Sequence, residues 1–329
     1  MTEVLRDVDE DSFAELIEPH RRELHAHCYR MLGSVHDADD ALQEALLGAW
    51  KGLPGFEGRS SLRSWLYTIA TNASLRILEG RKRRELPGGT GSGDDPNAPL
   101  AEPLAESVWI EPYPDEHLRY EDREGVELAY VAALQHLPPN QRAALILRDA
   151  LGFSAREAAE ILETSVPSLN SALQRGRAKL ERELPARSQQ ETLRALGDEH
   201  SRELVARFVD AWNRADVAAI AAMLSEDASF SMPPLPTWFR GKEDIGGFIV
   251  ARLQAARTSG TTWRFAVTSA SGQPALLGRR RNPDNGHYEL GMLAVLTFED
   301  DLIESITAFI GLGALGRFRP REILAPPMI

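Results

Sequence analysis

The chain has 329 residues, 43 % hydrophobic and 26 % charged, which predicts two or three folded domains and excludes wholesale disorder. No apolar run approaches the ~20 residues of a membrane span, and the start, MTEVLRDVDEDSF, lacks a basic stretch followed by an apolar core, so neither membrane segment nor secretory signal is expected and a cytoplasmic location fits. The net charge of −12 hides an uneven distribution, and the single cysteine, Cys28, excludes an internal disulfide framework and a cysteine-based zinc site.

Residues 11–85 read as a helical domain. Phe13, Leu16, Ile17, Leu24, Cys28 and Met31 trace a first helix, with a bend expected at Pro19. Ala38, Ala41, Leu42, Ala45, Leu46, Ala49 and Trp50 form one clean stripe of a second. Ser34, three residues before Asp37, suits its cap. Asp37, Asp39, Asp40 and Glu44 make an acidic surface on that helix, either a partner-docking face or a solvated one. A third helix carries Leu62, Trp65, Leu66, Ile69, Ala73 and Ile77, with Trp65 assigned to the core. Residues 59–84 hold seven basic side chains against Glu79 alone. Clustered arginines beside aromatic rings suit an unpaired nucleic-acid strand, and the loop Phe56-Glu57-Gly58-Arg59-Ser60 could pocket an extruded base. A solvated helix end explains the same basic run equally well.

Residues 86–123 are rich in Pro, Gly and acid and read as a linker. Trp109, Ile110 and Tyr113 are odd in a pure linker and are the expected interdomain docking residues, through which the C-terminal domain would pack against the two helical ones. Residues 124–184 return to helical periodicity. Ser154-Ala-Arg-Glu157 matches a capping box, Glu163-Thr164-Ser165 a tight turn, and Pro167 the first turn of a following helix, which together read as a helix-turn-helix. With Leu169, Leu173 and Leu180 facing the core, Ser168, Asn170, Ser171, Gln174 and Arg175 face outward, types that suit base edges. Arg177 and Lys179 suit phosphates. A plain amphipathic helix in a bundle fits the same spacing.

A second linker is expected at 185–199. Residues 200–322 then read as a small α+β domain with fourteen charges of each sign between 200 and 329. Helices are expected around Leu204–Trp212, Ile220–Leu224 and Ile245–Leu253, and strands at Thr262–Thr268, Ala275–Arg280, Tyr288–Phe298 and Leu302–Ile310. No phosphate loop, nucleophile elbow or metal-binding His-Glu-x-x-His run is present, so neither cofactor nor metal is expected.

Taken together, these segments resemble an extracytoplasmic-function sigma factor of bacterial RNA polymerase. Asp37–Trp50 resembles the family's region 2.2 helix, Ser60–Arg84 regions 2.3 and 2.4, and Leu137–Leu180 region 4. The tail is similar to a SnoaL-like domain of the nuclear-transport-factor-2-like fold. The expected architecture is therefore two all-α sigma domains, a helical bundle and a helix-turn-helix, followed by an α+β cone-shaped domain with a curved sheet. The resemblance implies that Asp37, Asp39, Asp40, Gln43 and Glu44 dock on core polymerase. It implies that Phe56, Arg59, Ser60, Arg63, Tyr67, Asn72, Arg76, Arg81, Lys82, Arg83 and Arg84 meet the minus-ten strand. Ser168, Asn170, Ser171, Gln174, Arg175, Arg177 and Lys179 would then enter the minus-thirty-five element.

Some sigma factors carry such a tail in place of a separate anti-sigma partner, and Trp109–Pro114 is reminiscent of a Pro-rich linker motif in those subgroups without matching it literally. Some SnoaL-like proteins are polyketide cyclases that use an acid and a histidine in a conical pocket. His287, Asp210 and Glu289 are the candidates here, but the sequence cannot bring them to one pocket. A regulatory tail, open to a small-molecule ligand, is therefore expected rather than an enzyme. The alternatives are a polymerase-independent DNA-binding regulator and a DNA-binding module fused to a cyclase or hydrolase.

Overall fold

The computed structural model describes residues 9–88, 93–104, 108–118, 123–311 and 313–318. The expected boundary at 322 and parts of the expected 86–123 linker fall outside them. The described chain divides into two units, one of residues 1–84 with 116–185 and one of 85–115 with 186–329.

The first unit is all-helical. Helices α1 (Glu10–Leu32), α2 (Val35–Gly52) and α3 (Leu62–Leu78) pack on one another. α1 runs on through Pro19 rather than ending there. Each helix starts on a side-chain cap: Asp9, Ser34 and Ser61 accept from the backbone N–H three residues on. α1 ends at Gly33, whose φ of +68° puts it in the left-handed region that glycine occupies without a Cβ penalty. The stripe of α2 is buried at Ala38, Ala41, Leu42, Ala45 and Ala49, but Trp50 at its end stays 38 % exposed, edge-on to Phe13.

Helices α4 (Leu128–Gln135), α5 (Pro139–Leu145, continuing as a π-turn to Ala150), α6 (Ala155–Ile161) and α7 (Val166–Glu183) complete this unit. Ser154 and Glu157 close the expected capping box and Ser165 caps α7. Buried polar groups tie this half to α1. Arg142 donates to the carbonyls of Met31, Leu134, Gln135 and Leu137 and to Gln135 Oε1. Gln135 donates to Arg30 O at 3.3 Å, and Arg30 to Gly125 O at 3.0 Å. Such donors satisfy carbonyls that would otherwise be buried without partners.

The second unit is α+β. Its six-stranded sheet runs β2-β1-β6-β5-β4-β3, with β1 (Leu224–Ser231), β2 (Trp238–Arg240), β3 (Trp263–Ala270), β4 (Gln273–Arg281), β5 (Tyr288–Glu299) and β6 (Leu302–Ile310). All pairs are antiparallel except β1 with β6. Register shifts at Gly278/Arg279 and Thr297/Phe298 supply the bends that curve such a sheet. Helices α9 (Asp198–Asn213), α10 (Val217–Ala222) and α11 (Lys242–Ser259) cover one face, burying Phe208, Phe230, Phe248, Phe265, Leu276 and Leu296 in one core.

Two expectations about this region need correction. The 185–199 segment is no linker: it holds α8 (Gln189–Leu196), opened by a Ser188–Glu191 capping box. Gln189 of α8 donates to Phe298 O and Gln190 to Gly272 O. The polar composition misled because these glutamines work inward. Likewise β1 and β2 were missed, since the alternation of Leu224–Ser231 includes exposed Glu226 and Asp227 at its start.

The Pro/Gly-rich acidic stretch also belongs to this unit. Asp94 N–H donates to Trp238 O and Trp238 N–H to Asp94 Oδ2, both at 2.9 Å. Gly93 bridges Phe239, and a Cβ there would lie 3.1 Å from Arg240 N and 3.2 Å from Phe239 Cα. Trp109 donates its indole N–H to Pro234 O at 2.8 Å. Tyr113 N–H donates to Ser271 Oγ and Tyr113 O accepts from Ser271 N–H. Ile110 and Tyr113 are fully buried.

Candidate nucleic-acid interface

The helix-turn-helix is the site most fully set by local sequence. Leu162 ends α6, Glu163 takes a positive φ of 49°, and Ser165 caps α7 with Pro167 in its first turn. Leu169 and Leu173 are buried and Leu180 is half-buried, which aims the other face outward. Ser168, Asn170, Ser171, Gln174, Arg175 and Arg177 are exposed. Arg177 is held by Asp149 through two hydrogen bonds of 2.9 and 2.5 Å. Lys179, expected on phosphate, is half-buried and donates to His136 O at 2.6 Å, capping the end of α4.

On the first bundle the expected minus-ten residues separate into three groups. Phe56 lies 4.9 Å from Trp65, ring to ring, over the 53–61 loop, with Arg59 exposed and paired to Glu57 and Ser60 half-buried. Trp65 is half-exposed rather than core. The signal was Gly52, where a Cβ would stand 3.2 Å from the Trp65 ring. Asn72 is half-buried and Arg76 exposed beside Glu44, 2.6 Å away.

A second group is engaged by aromatic packing. Tyr67, expected to stack on a base, is fully buried between His27 and Phe153, with ring centroids 5.1 and 5.0 Å away. Burial pushes its hydroxyl well above the usual tyrosine range. The Arg63 guanidinium lies over Phe153 at 4.4 Å and Tyr67 at 5.0 Å, and donates to Glu23 at 3.2 Å. Arg63 therefore anchors α3 against the turn before α6.

The third group is the basic run after α3, which folds back on the acidic helix. Arg81 reaches Asp37 Oδ2 at 2.5 Å and Arg84 reaches the same oxygen at 2.7 Å. Asp37 and Arg84 are both buried. Lys82 and Arg83 remain exposed. Of the residues expected to dock on polymerase, Asp37 is thus an internal ion-pair partner, not an open face. Asp39 accepts from His25 Nε2 at 3.1 Å and Glu44 pairs with Arg76. Asp40 and Gln43 are exposed. The crowding of carboxylates on α2 is relieved by these cations, which spacing on one helix could not reveal.

In the α+β unit the enzyme candidates stay apart in their engagements. Asp210 is exposed and pairs with Arg214 at 3.0 Å. Glu289 accepts from Asn282 at 2.8 Å, and His287 is exposed in the β4–β5 loop. Among the described residues no group of His, Cys, Asp and Glu could hold a metal ion, and no helix is long and apolar enough to cross a membrane.

Comparison with known proteins matches the same parts. Residues 16–84 match the family Sigma-70 region 2, residues 127–180 Sigma-70 region 4, and residues 205–306 the SnoaL-like domain. The chain is 40 % identical over 314 residues to the ECF RNA polymerase sigma factor SigG of Mycobacterium tuberculosis, covering 93 % of this chain and 83 % of that protein. It is 26 % identical over 247 residues to SigJ of the same species, covering 71 % of each. The crystal structure of Mycobacterium tuberculosis SigJ aligns over 92 % of this chain and 98 % of its own with a TM-score of 0.59, at 21 % identity, which establishes a shared fold.

Proposed function

Because the chain belongs to the extracytoplasmic-function sigma factors of bacterial RNA polymerase, we propose a division of promoter work among its named residues. The protein directs promoter recognition and transcription initiation with core polymerase. The observation that carries the residue-level reading is α7, a helix set on a capped turn that presents Ser168, Asn170, Ser171, Gln174 and Arg175 to solvent. Asn and Gln suit adenine and Arg suits guanine in a major groove, so this face reads the minus-thirty-five element. The Phe56–Trp65 pair with Arg59 receives an unpaired base of the minus-ten strand, flanked by Arg76, Lys82 and Arg83. Asp40 and Gln43, open on α2, contribute to the polymerase contact. The SnoaL-like domain acts as a built-in regulator, since His287, Asp210 and Glu289 are each exposed and Asp210 and Glu289 are bound to different partners.

Run-off transcription with purified core polymerase on a two-element promoter tests this reading. The full chain should support initiation, and Arg175→Ala or Gln174→Ala should lose about 1–3 kcal/mol at one base position of the upstream element. Operator binding without any polymerase-dependent transcript would instead favour a stand-alone regulator. Turnover of a polyketide-type substrate by the full chain would return the tail to the enzymes.

A further inference from the structure

The near-neutral sum of the C-terminal domain conceals a local imbalance. Residues 245–283 contain six arginines and not one acidic residue. Three of them, Arg264, Arg279 and Arg281, meet on one face of the sheet. Arg264 stands directly opposite Arg279 in the β3–β4 ladder, and Arg281 is two residues along from Arg279, opposite Tyr288 on β5. Side chains two apart on a strand share a face, and so do cross-strand partners. Arg280, between them, falls on the opposite face beside Trp263 and Glu289.

All three arginines are exposed, and among the described residues none has an ion-pair partner within 4.0 Å. The Arg264 guanidinium lies 4.5 Å over the Tyr288 ring, which fixes its plane. Of the acids on β5 and in the β4–β5 loop, Glu289 is on the far face and bonded to Asn282, and Asp284 sits in the loop, its N–H donating to Asn282 Oδ1. Like charges directly opposite in a ladder destabilise the pair. An external anion would relieve that repulsion.

We propose that the face formed by Arg264, Arg279, Arg281 and Tyr288 binds the phosphate backbone of duplex DNA. Their Cβ positions stand ~5 Å apart across the ladder and ~7 Å along the strand, so the three guanidinium groups rise from one compact row that can engage phosphates without reading bases. Charge complementarity selects a polyanion, and a factor whose work is on a promoter meets DNA as its polyanion. The tail then adds sequence-independent grip to the two sequence-reading helical elements.

The test is fluorescence anisotropy of the full chain on a duplex lacking promoter elements, over a series of salt concentrations. Each phosphate contact contributes ~0.9 to the slope of log K against log salt. The triple variant Arg264→Gln, Arg279→Gln, Arg281→Gln should lower that slope by about two to three. Arg214→Gln, which removes an equally exposed but ion-paired arginine, should leave it unchanged. Thermal melting checks the fold, which should hold because the substitutions remove repulsion. No salt-dependent binding by the wild-type chain, or an equal slope in the triple variant, overturns the proposal. So does binding of poly-glutamate that the triple variant loses while its DNA slope is unchanged, which would give the face to an acidic protein. Run-off transcription is read separately, so failure here leaves the promoter reading standing.

Discussion

His27 shows how one buried residue sets a pH response. It is fully buried, donates or accepts through Nε2 to Thr71 Oγ1 at 2.9 Å, and has no partner at Nδ1 among the described residues. Burial, aided by the nearby Arg30 charge, pushes its pKa from 6.5 down to about 3. The folded ring stays neutral while the unfolded one takes a proton, so stability is full above pH 6.5 and falls as pH drops from there toward 3. In His27→Gln that acid-side loss should shrink, read from urea midpoints between pH 7 and 4. Arg142 is a second such residue. Burial lowers its pKa to about 10, yet it serves four backbone carbonyls. Arg142→Ala strands those acceptors and should cost about 1–3 kcal/mol, measured by denaturant unfolding. Arg142→Lys should restore only part of it, because an ammonium cannot reach the same fork of acceptors.

At the scale of elements, the helix-turn-helix and the acidic segment behave oppositely. The first is built from local signals: capping box, tight turn, capped second helix. Ser154→Ala should cost about 1 kcal/mol, since it removes the acceptor for the Glu157 N–H and one arm of the box. The Ser154 hydroxyl and, next, its backbone N–H, which donates to Glu157 Oε2 at 2.9 Å, hold the Glu157 carboxyl below its usual range. Stability from that carboxylate is present above the ordinary glutamate pKa and disappears as pH falls through the lowered value. The acidic segment is held instead by long-range contacts with β2. Gly93 has a φ of +81° and no room for a Cβ. Gly93→Ala should therefore free the 93–104 segment at a cost of about 1–3 kcal/mol. Hydrogen exchange at Trp238, whose N–H donates to Asp94, reads that release directly.

For the whole molecule, residues 85–115 belong with the C-terminal domain although they precede region 4 in the chain. Cutting after Pro185 removes Trp238, Pro234 and Ser271, the partners of Asp94, Trp109 and Tyr113. Limited proteolysis should then cleave the 1–185 fragment within 93–104 or 108–115 while the full chain resists at those positions. If the domain regulates initiation through this segment, run-off transcription by the fragment should differ from that of the full chain at equal polymerase occupancy. Equal activity and equal cleavage would separate the domain from regulation.

What the sequence determined by itself is everything carried by short-range periodicity: the helices of both sigma regions, the capping box at Ser154, the outward face of α7, and four of the six strands. These depend on residues within a turn or two of each other. The tertiary structure alone decided which charged and aromatic side chains are free to meet a partner. Asp37, Arg84, Arg63 and Tyr67 share residue types with open binding groups, yet their partners are 47 residues away for the Asp37–Arg84 pair, and on the distant turn before α6 for the Arg63–Phe153 stack. The arginine face of the sheet was hidden for the same reason: strand pairing brings Arg264 to Arg279, and a sum of charges along the chain cancels them against acids on other surfaces.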